Sequence, residues 1–129
     1  MFCLKTFSIH QETKDVIPDY PYKEIKEFAL GQDYILNLIF TDKDKIKKLN
    51  LIYRNKNQAT DILSFPLSEN EGEIYICLEE AKVESKKFDR DFENFIAFLF
   101  IHGLIHLKGY DHGSKMETEE VKIREKFKI

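Results

Sequence analysis

Residues 91–107 constrain the fold more than any other stretch of the chain. The run from Asp91 through Phe95-Ile96-Ala97-Phe98-Leu99-Phe100-Ile101 to His106-Leu107 is apolar on nearly every side of a helical wheel. A helix without a polar face cannot lie on the surface of a water-soluble protein, so it must be the central element around which the others pack. Its longest uninterrupted apolar run, Phe95 to Ile101, falls far below the ~18 residues of a membrane span. The chain of 129 residues, 43% of them hydrophobic, is long enough to bury one core without disulfides and short for two. A single domain over 1–129, monomeric, is expected.

The walls of that core follow from local periodicity. Partial alternation (Phe2, Leu4; Phe7, Ile9) predicts a strand over Phe2–Ile9, and Tyr22, Ile25, Phe28 and Ala29 predict a helix over Asp19–Leu30 with Gly31 as its stop. A strand over Tyr34–Phe40 comes next. A helix follows, capped by Thr41 or Asp42 and running through Leu49 or Ile52. Asp61–Phe65 reads as extended up to Pro66, and Glu73–Leu78 as a strand joined to it by a loop over Leu67–Gly72. Helices over Glu79–Lys87, Asp91–Leu107 and Ser114–Phe127 complete the chain. The order β-α-β-α-β-β-α-α-α describes an α+β domain: a small mixed sheet of about four strands, with at least one parallel pair and helices packed mainly on one side.

Charge and cysteine usage narrow the class. With 20 basic and 23 acidic residues the net charge is −3, which excludes coating of nucleic acid by bulk positive charge. The charge is uneven. Lys43, Lys45, Lys47, Lys48, Arg54 and Lys56 make residues 42–58 locally basic, so a salt-sensitive RNA contact there would include Lys48 and Lys56, whereas any single lysine also reads as solvated surface. Residues 67–95 are acidic and should lie away from bound RNA. Cys3 and Cys77 have apolar flanks and no CxxC spacing, as expected of reduced core thiols, with a disulfide as the alternative. No basic leader with an apolar stretch and cleavage site opens the sequence, so a cytoplasmic protein without a membrane partner is expected.

Three of the 4 histidines, His102, His106 and His112, are clustered at the end of the apolar helix. Residues four apart on a helix differ by about 40° around the axis, so His102 and His106 can point at one spot. Gly109 lets the chain leave the helix and bring His112 back to the same place. Three imidazoles with a fourth position open form a catalytic rather than a structural zinc site, placed at the end of the central helix. The plain alternative is three histidines satisfied locally in core or surface. The spacing H-x-x-x-H-x-x-G-x-x-H also matches the zinc helix of metzincin proteases. Those carry Glu after the first His as general base, and Gly103 stands at that position here.

The segment His102-Gly103-Leu104-Ile105-His106-Leu107-Lys108-Gly109-Tyr110-Asp111-His112 resembles the H-G-x-L-H-L-x-G-Y-D-H hallmark of the bacterial YbeY endoribonucleases, with Ile105 in place of Leu. Two further blocks are similar to that family: Asn50-Leu51-Ile52-Tyr53-Arg54 followed by Thr60-Asp61-Ile62-Leu63-Ser64-Phe65-Pro66, and Gly72-Glu73-Ile74-Tyr75-Ile76, with Glu73 replacing Asp. The resemblance implies a metal-dependent, single-strand-specific endoribonuclease that matures the 3′ end of 16S rRNA and takes part in ribosome quality control. It implies one divalent ion, zinc, held by His102, His106 and His112. Its partners would be single-stranded rRNA and the small ribosomal subunit or its assembly proteins.

The same resemblance carries the family arginine over to Arg54, whose planar fork suits a bidentate phosphate contact; from its position alone a solvent-exposed structural arginine is an equal reading. Asp111 is a candidate to orient a ligand imidazole or to act as base in place of the missing glutamate, and equally a candidate turn cap. Tyr53 and Tyr110 offer base-stacking faces, against the commoner role of a core ring with its hydroxyl at the rim. Two other functions compete. One is a zinc metallopeptidase-like hydrolase, the other a non-enzymatic ribosome-associated metal-binding protein.

Overall fold

The computed structural model describes residues 5–109 and 113–129. Four strands and five helices follow in the order β1 (Phe7–Gln11), α1 (Tyr22–Leu30), β2 (Ile35–Thr41), α2 (Lys43–Arg54), β3 (Ile62–Ser68), β4 (Glu71–Cys77), α3 (Leu78–Ser85), α4 (Phe92–Leu107) and α5 (Ser114–Phe127). The sheet runs β1-β2-β4-β3, with β1–β2 and β2–β4 parallel and β3–β4 antiparallel. The α+β architecture and the mixed sheet read from the sequence are both present.

Alternation along the inner strands sorts the two faces. Leu36, Leu38 and Phe40 of β2 and Ile74 and Ile76 of β4 are fully buried in the main core, with Ile25 of α1 and Met116 and Ile123 of α5. α4 supplies Phe95, Ile96, Leu99, Phe100, Ile101, Leu104 and Ile105 to the same cluster, which is why its sequence lacks a polar side. The opposite face carries a smaller cluster of Ile46, Leu63 and Cys77 under α2. Cys77 is a free thiol whose pKa burial pushes up, in keeping with a reduced core cysteine; Cys3 lies outside the described residues.

Several element bounds differ from the sequence reading, most of them by one to three residues. Strand β1, predicted over Phe2–Ile9, begins at Phe7 among the described residues, which exclude Phe2–Leu4, and continues to Gln11 because its parallel ladder with β2 runs on to the Gln11–Phe40 pair. Backbone pairing rather than side-chain burial sets its end. Strand β3 runs through Pro66 to Ser68, so the predicted loop over Leu67–Gly72 shrinks to a turn at Glu69 and Asn70. Proline is tolerated there because β3 is an edge strand, and the ladder shifts register between Pro66 and Ser68.

Candidate metal centre and active site

Three separate stretches of chain meet where α4 ends beside the edge strand. The end of α2 brings Arg54, the lead into β3 brings Thr60, Asp61 and Ser64, and the last turns of α4 bring His102 and His106. Together they line a cavity of about 420 Å³.

Local chemistry explains how Arg54 reaches that wall. Asp42 caps α2 by accepting the Lys45 N–H at 2.8 Å, and the helix stops at Asn55, which adopts the left-handed conformation at φ 55°. Asn50, only 1% exposed, then ties the following loop to the helix. Its Nδ2 donates to the Gln58 carbonyl at 2.9 Å while its own carbonyl accepts the Lys56 N–H at 3.2 Å. The loop is thereby folded back so that Arg54 and Thr60-Asp61 face the same space.

On α4 the two histidines stand one turn apart with their rings nearly perpendicular at 82°. Their Nε2 atoms are 3.1 Å apart. Two zinc–nitrogen bonds of about 2.0–2.1 Å at a tetrahedral angle place their nitrogens roughly 3.3 Å apart, so the pair fits two ligands of one zinc ion. The other nitrogen of His102, Nδ1, lies 2.5 Å from a carboxylate oxygen of Glu120 on α5. Gly109, at φ +97°, makes the bend out of α4 that the sequence requires of it. Tyr110, Asp111 and His112 lie outside the described residues, and among the described residues no group of three or more metal-ligating side chains is found.

The position after His102 is closed to a general base. A Cβ on Gly103 would lie 2.9 Å from Ser64 Oγ and 3.0 and 3.1 Å from the Cδ1 atoms of Ile62 and Ile74. A glutamate there would have to displace these packed side chains. Among the described residues, the carboxylate that lines the cavity is Asp61, whose pKa is raised by burial and by the nearby Glu84 charge, against the lowering effect of its own and the Ile62 N–H groups.

The sequence-predicted substrate residues are not all brought together. Arg54 is exposed and lines the cavity. Lys48 lines a different groove, with Asp42, Asp44 and Ile52, and Lys56 is exposed on the loop after α2 without reaching the cavity wall. Tyr53 is 66% exposed and packs on Phe65 at 5.1 Å between ring centroids. The sequence reading missed Glu120 altogether. Its signal was there, since Met116, Glu120 and Ile123 are spaced four and three apart, which sets an acid in the middle of an apolar helix face.

The family described as Endoribonuclease YbeY matches residues 4–128 of this chain. The chain belongs to the YbeY endoribonuclease family. A protein of Phytoplasma australiense named endoribonuclease YbeY is 37% identical over 123 residues, covering 88% of this chain and 85% of the relative. One of the same name from Acholeplasma laidlawii is 35% identical over 111 residues, covering 83% and 77%. The solution structure of a Thermotoga maritima protein superposes with a TM-score of 0.69 at 31% identity, over 94% of this chain and 88% of the other. Membership in the YbeY family decides against the metallopeptidase and non-enzymatic readings, because the relatives are named as nucleases that cut RNA. None of the described helices is long and apolar enough to cross a membrane.

Proposed function

We propose that this YbeY family protein is a metal-dependent, single-strand-specific endoribonuclease of one domain, residues 1–129. It acts as a cytoplasmic monomer on rRNA in association with the small ribosomal subunit or its assembly proteins. The reaction assigned to it is maturation of the 16S rRNA 3′ end, with a part in ribosome quality control. The observation that carries the reading is the convergence of the His102 and His106 Nε2 atoms, 3.1 Å apart, on a cavity that Arg54 also lines.

His102, His106 and His112 would hold one divalent ion, zinc, which would supply charge neutralisation at the scissile phosphate. Arg54 is assigned the bidentate grip on a phosphate oxygen pair, which orients the backbone for cleavage. Asp111, adjacent in sequence to the third histidine, is assigned the proton-accepting or ligand-orienting carboxylate. Lys48 and Lys56 extend the positive surface along which the flanking strand would lie.

The test is to purify the protein without a histidine tag and to measure metal stoichiometry together with cleavage of a single-stranded rRNA precursor. Wild type is expected to carry one zinc and to cut. His106→Ala is expected to lose both, and Arg54→Ala to keep the metal and lose cleavage. Full metal and full activity in His106→Ala overturn the reading, and loss of metal in Arg54→Ala overturns the role of the arginine.

A further inference from the structure

Glu120 stands where a carboxylate is costly. It is 8% exposed on the face of α5 that also buries Met116 at 3% and Ile123 at 2%. A buried carboxylate persists only where a partner compensates its lost hydration. Among the described residues that partner is His102, whose Nδ1 lies 2.5 Å from Glu120 Oε1. The opposite ring nitrogen of His102 is the one that faces His106.

We propose that Glu120 is the positioning residue of His102: its carboxylate accepts the Nδ1–H, fixes the tautomer and the ring orientation, and so presents the Nε2 lone pair toward the metal. This rests on the reading of His102 as a metal ligand. The physical logic is specific to the two ring nitrogens. A neutral imidazole has one N–H and one lone pair, and a carboxylate held against Nδ1 requires the proton on Nδ1 and leaves the lone pair on Nε2. Ordering the ring in advance also removes entropy that metal binding would otherwise have to overcome. Loss of such a partner commonly weakens metal binding 10–100-fold. Glu120 comes from α5 and His102 from α4, so the contact also makes metal affinity depend on how these two helices dock.

The experiment compares wild type, Glu120→Ala and Glu120→Gln. Zinc affinity is measured by competition with a chromophoric chelator, the His102 tautomer by the ¹⁵N shifts of the imidazole in zinc-free protein, and folding by the thermal midpoint of the same zinc-free samples. Wild type is expected to hold His102 with Nδ1 protonated. Glu120→Ala is expected to mix the tautomers and to bind zinc about 10–100-fold more weakly. Glu120→Gln keeps an acceptor oxygen and is expected to fall between the two. If both variants lower the thermal midpoint but keep wild-type zinc affinity and the Nδ1-protonated tautomer, Glu120 only fastens α5 to α4 and the proposal is overturned. Wild type that binds no zinc overturns the metal reading itself, and this proposal with it. Should Glu120→Ala fail to fold, Glu120→Gln decides: zinc affinity and a His102 tautomer both between those expected of wild type and Glu120→Ala support the assignment, and wild-type values for both overturn it.

Discussion

At Gly103 the helix runs so close to the sheet that only a hydrogen fits. Alanine is a better helix former than glycine by about 1 kcal/mol, which argues for a stabilising substitution. Against it stand three contacts of 2.9–3.1 Å with Ser64, Ile62 and Ile74, side chains set in a packed sheet face. Overpacking of this kind costs about 1–3 kcal/mol. Ser64 is also engaged, its Oγ donating to the Gly103 carbonyl at 3.3 Å. Crowding therefore outweighs propensity, and Gly103→Ala is expected to lose about 1–2 kcal/mol, read from the urea midpoint. A gain in stability would show that α4 can lift from the sheet at this point. The same crowding explains a departure visible in the sequence: the metzincin spacing is present, but its glutamate has no room. The residue that follows His102 had to be small for packing reasons that no spacing rule contains.

Among the elements, α2 and the loop after it show how an unremarkable segment comes to place a functional side chain. Its capping aspartate and its apolar face through Ile46 and Leu49 are readable from the sequence, and the helix starts where expected but runs past Leu49 and Ile52 to Arg54. What the sequence does not disclose is the work of Asn50. A buried asparagine on a helix otherwise surrounded by lysines looks like part of a polar surface, yet it is the tie that folds residues 55–60 back toward the cavity. Asn50→Ala would leave the Gln58 carbonyl without this donor, a loss of about 1–3 kcal/mol. It is expected to lower the unfolding midpoint accordingly and to weaken RNA cleavage while zinc content stays at the wild-type level. Unchanged cleavage in that variant would mean that Arg54 is held by the helix alone. Strand β3 teaches a related lesson. The extended segment is expected to reach only Pro66, and the strand instead continues to Ser68 because β3 is the edge strand of the sheet among the described residues.

Across the whole molecule, the net charge of −3 conceals an uneven surface. Within the basic segment, Lys45 is paired with Glu12 at 2.8 Å and Lys43 with Glu80 at 3.4 Å, so those two are already engaged within the protein. Lys48, Arg54 and Lys56 are exposed, Arg54 on the cavity wall and the two lysines outside it, and the proposed function assigns phosphate contacts to all three. Each phosphate neutralised on a single strand contributes a slope of about −0.7 to the dependence of log affinity on log salt concentration. Three contacts give a slope of roughly −2. Fluorescence anisotropy of a labelled single-stranded RNA in rising salt is expected to show it, with Lys48→Ala and Lys56→Ala each flattening the slope by about 0.7. A double variant with the wild-type slope would remove both lysines from the interface.

What the sequence determined by itself was local: which segments are helix and strand, that the residues from 91 to 107 form the centre, and that His102 and His106 share one helix face. These follow from periodicities of two and about 3.6 and from capping and bend residues, signals that act within a few positions of one another. The tertiary structure decided the sheet order β1-β2-β4-β3, the edge position that lets β3 run through Pro66, and the entry of Asp61 into the cavity. It also decided the meeting of Glu120 with His102, eighteen residues away on another helix. Each of these depends on which surfaces dock against each other. Docking is settled by burying all the apolar faces at once, so no short stretch of sequence carries the answer.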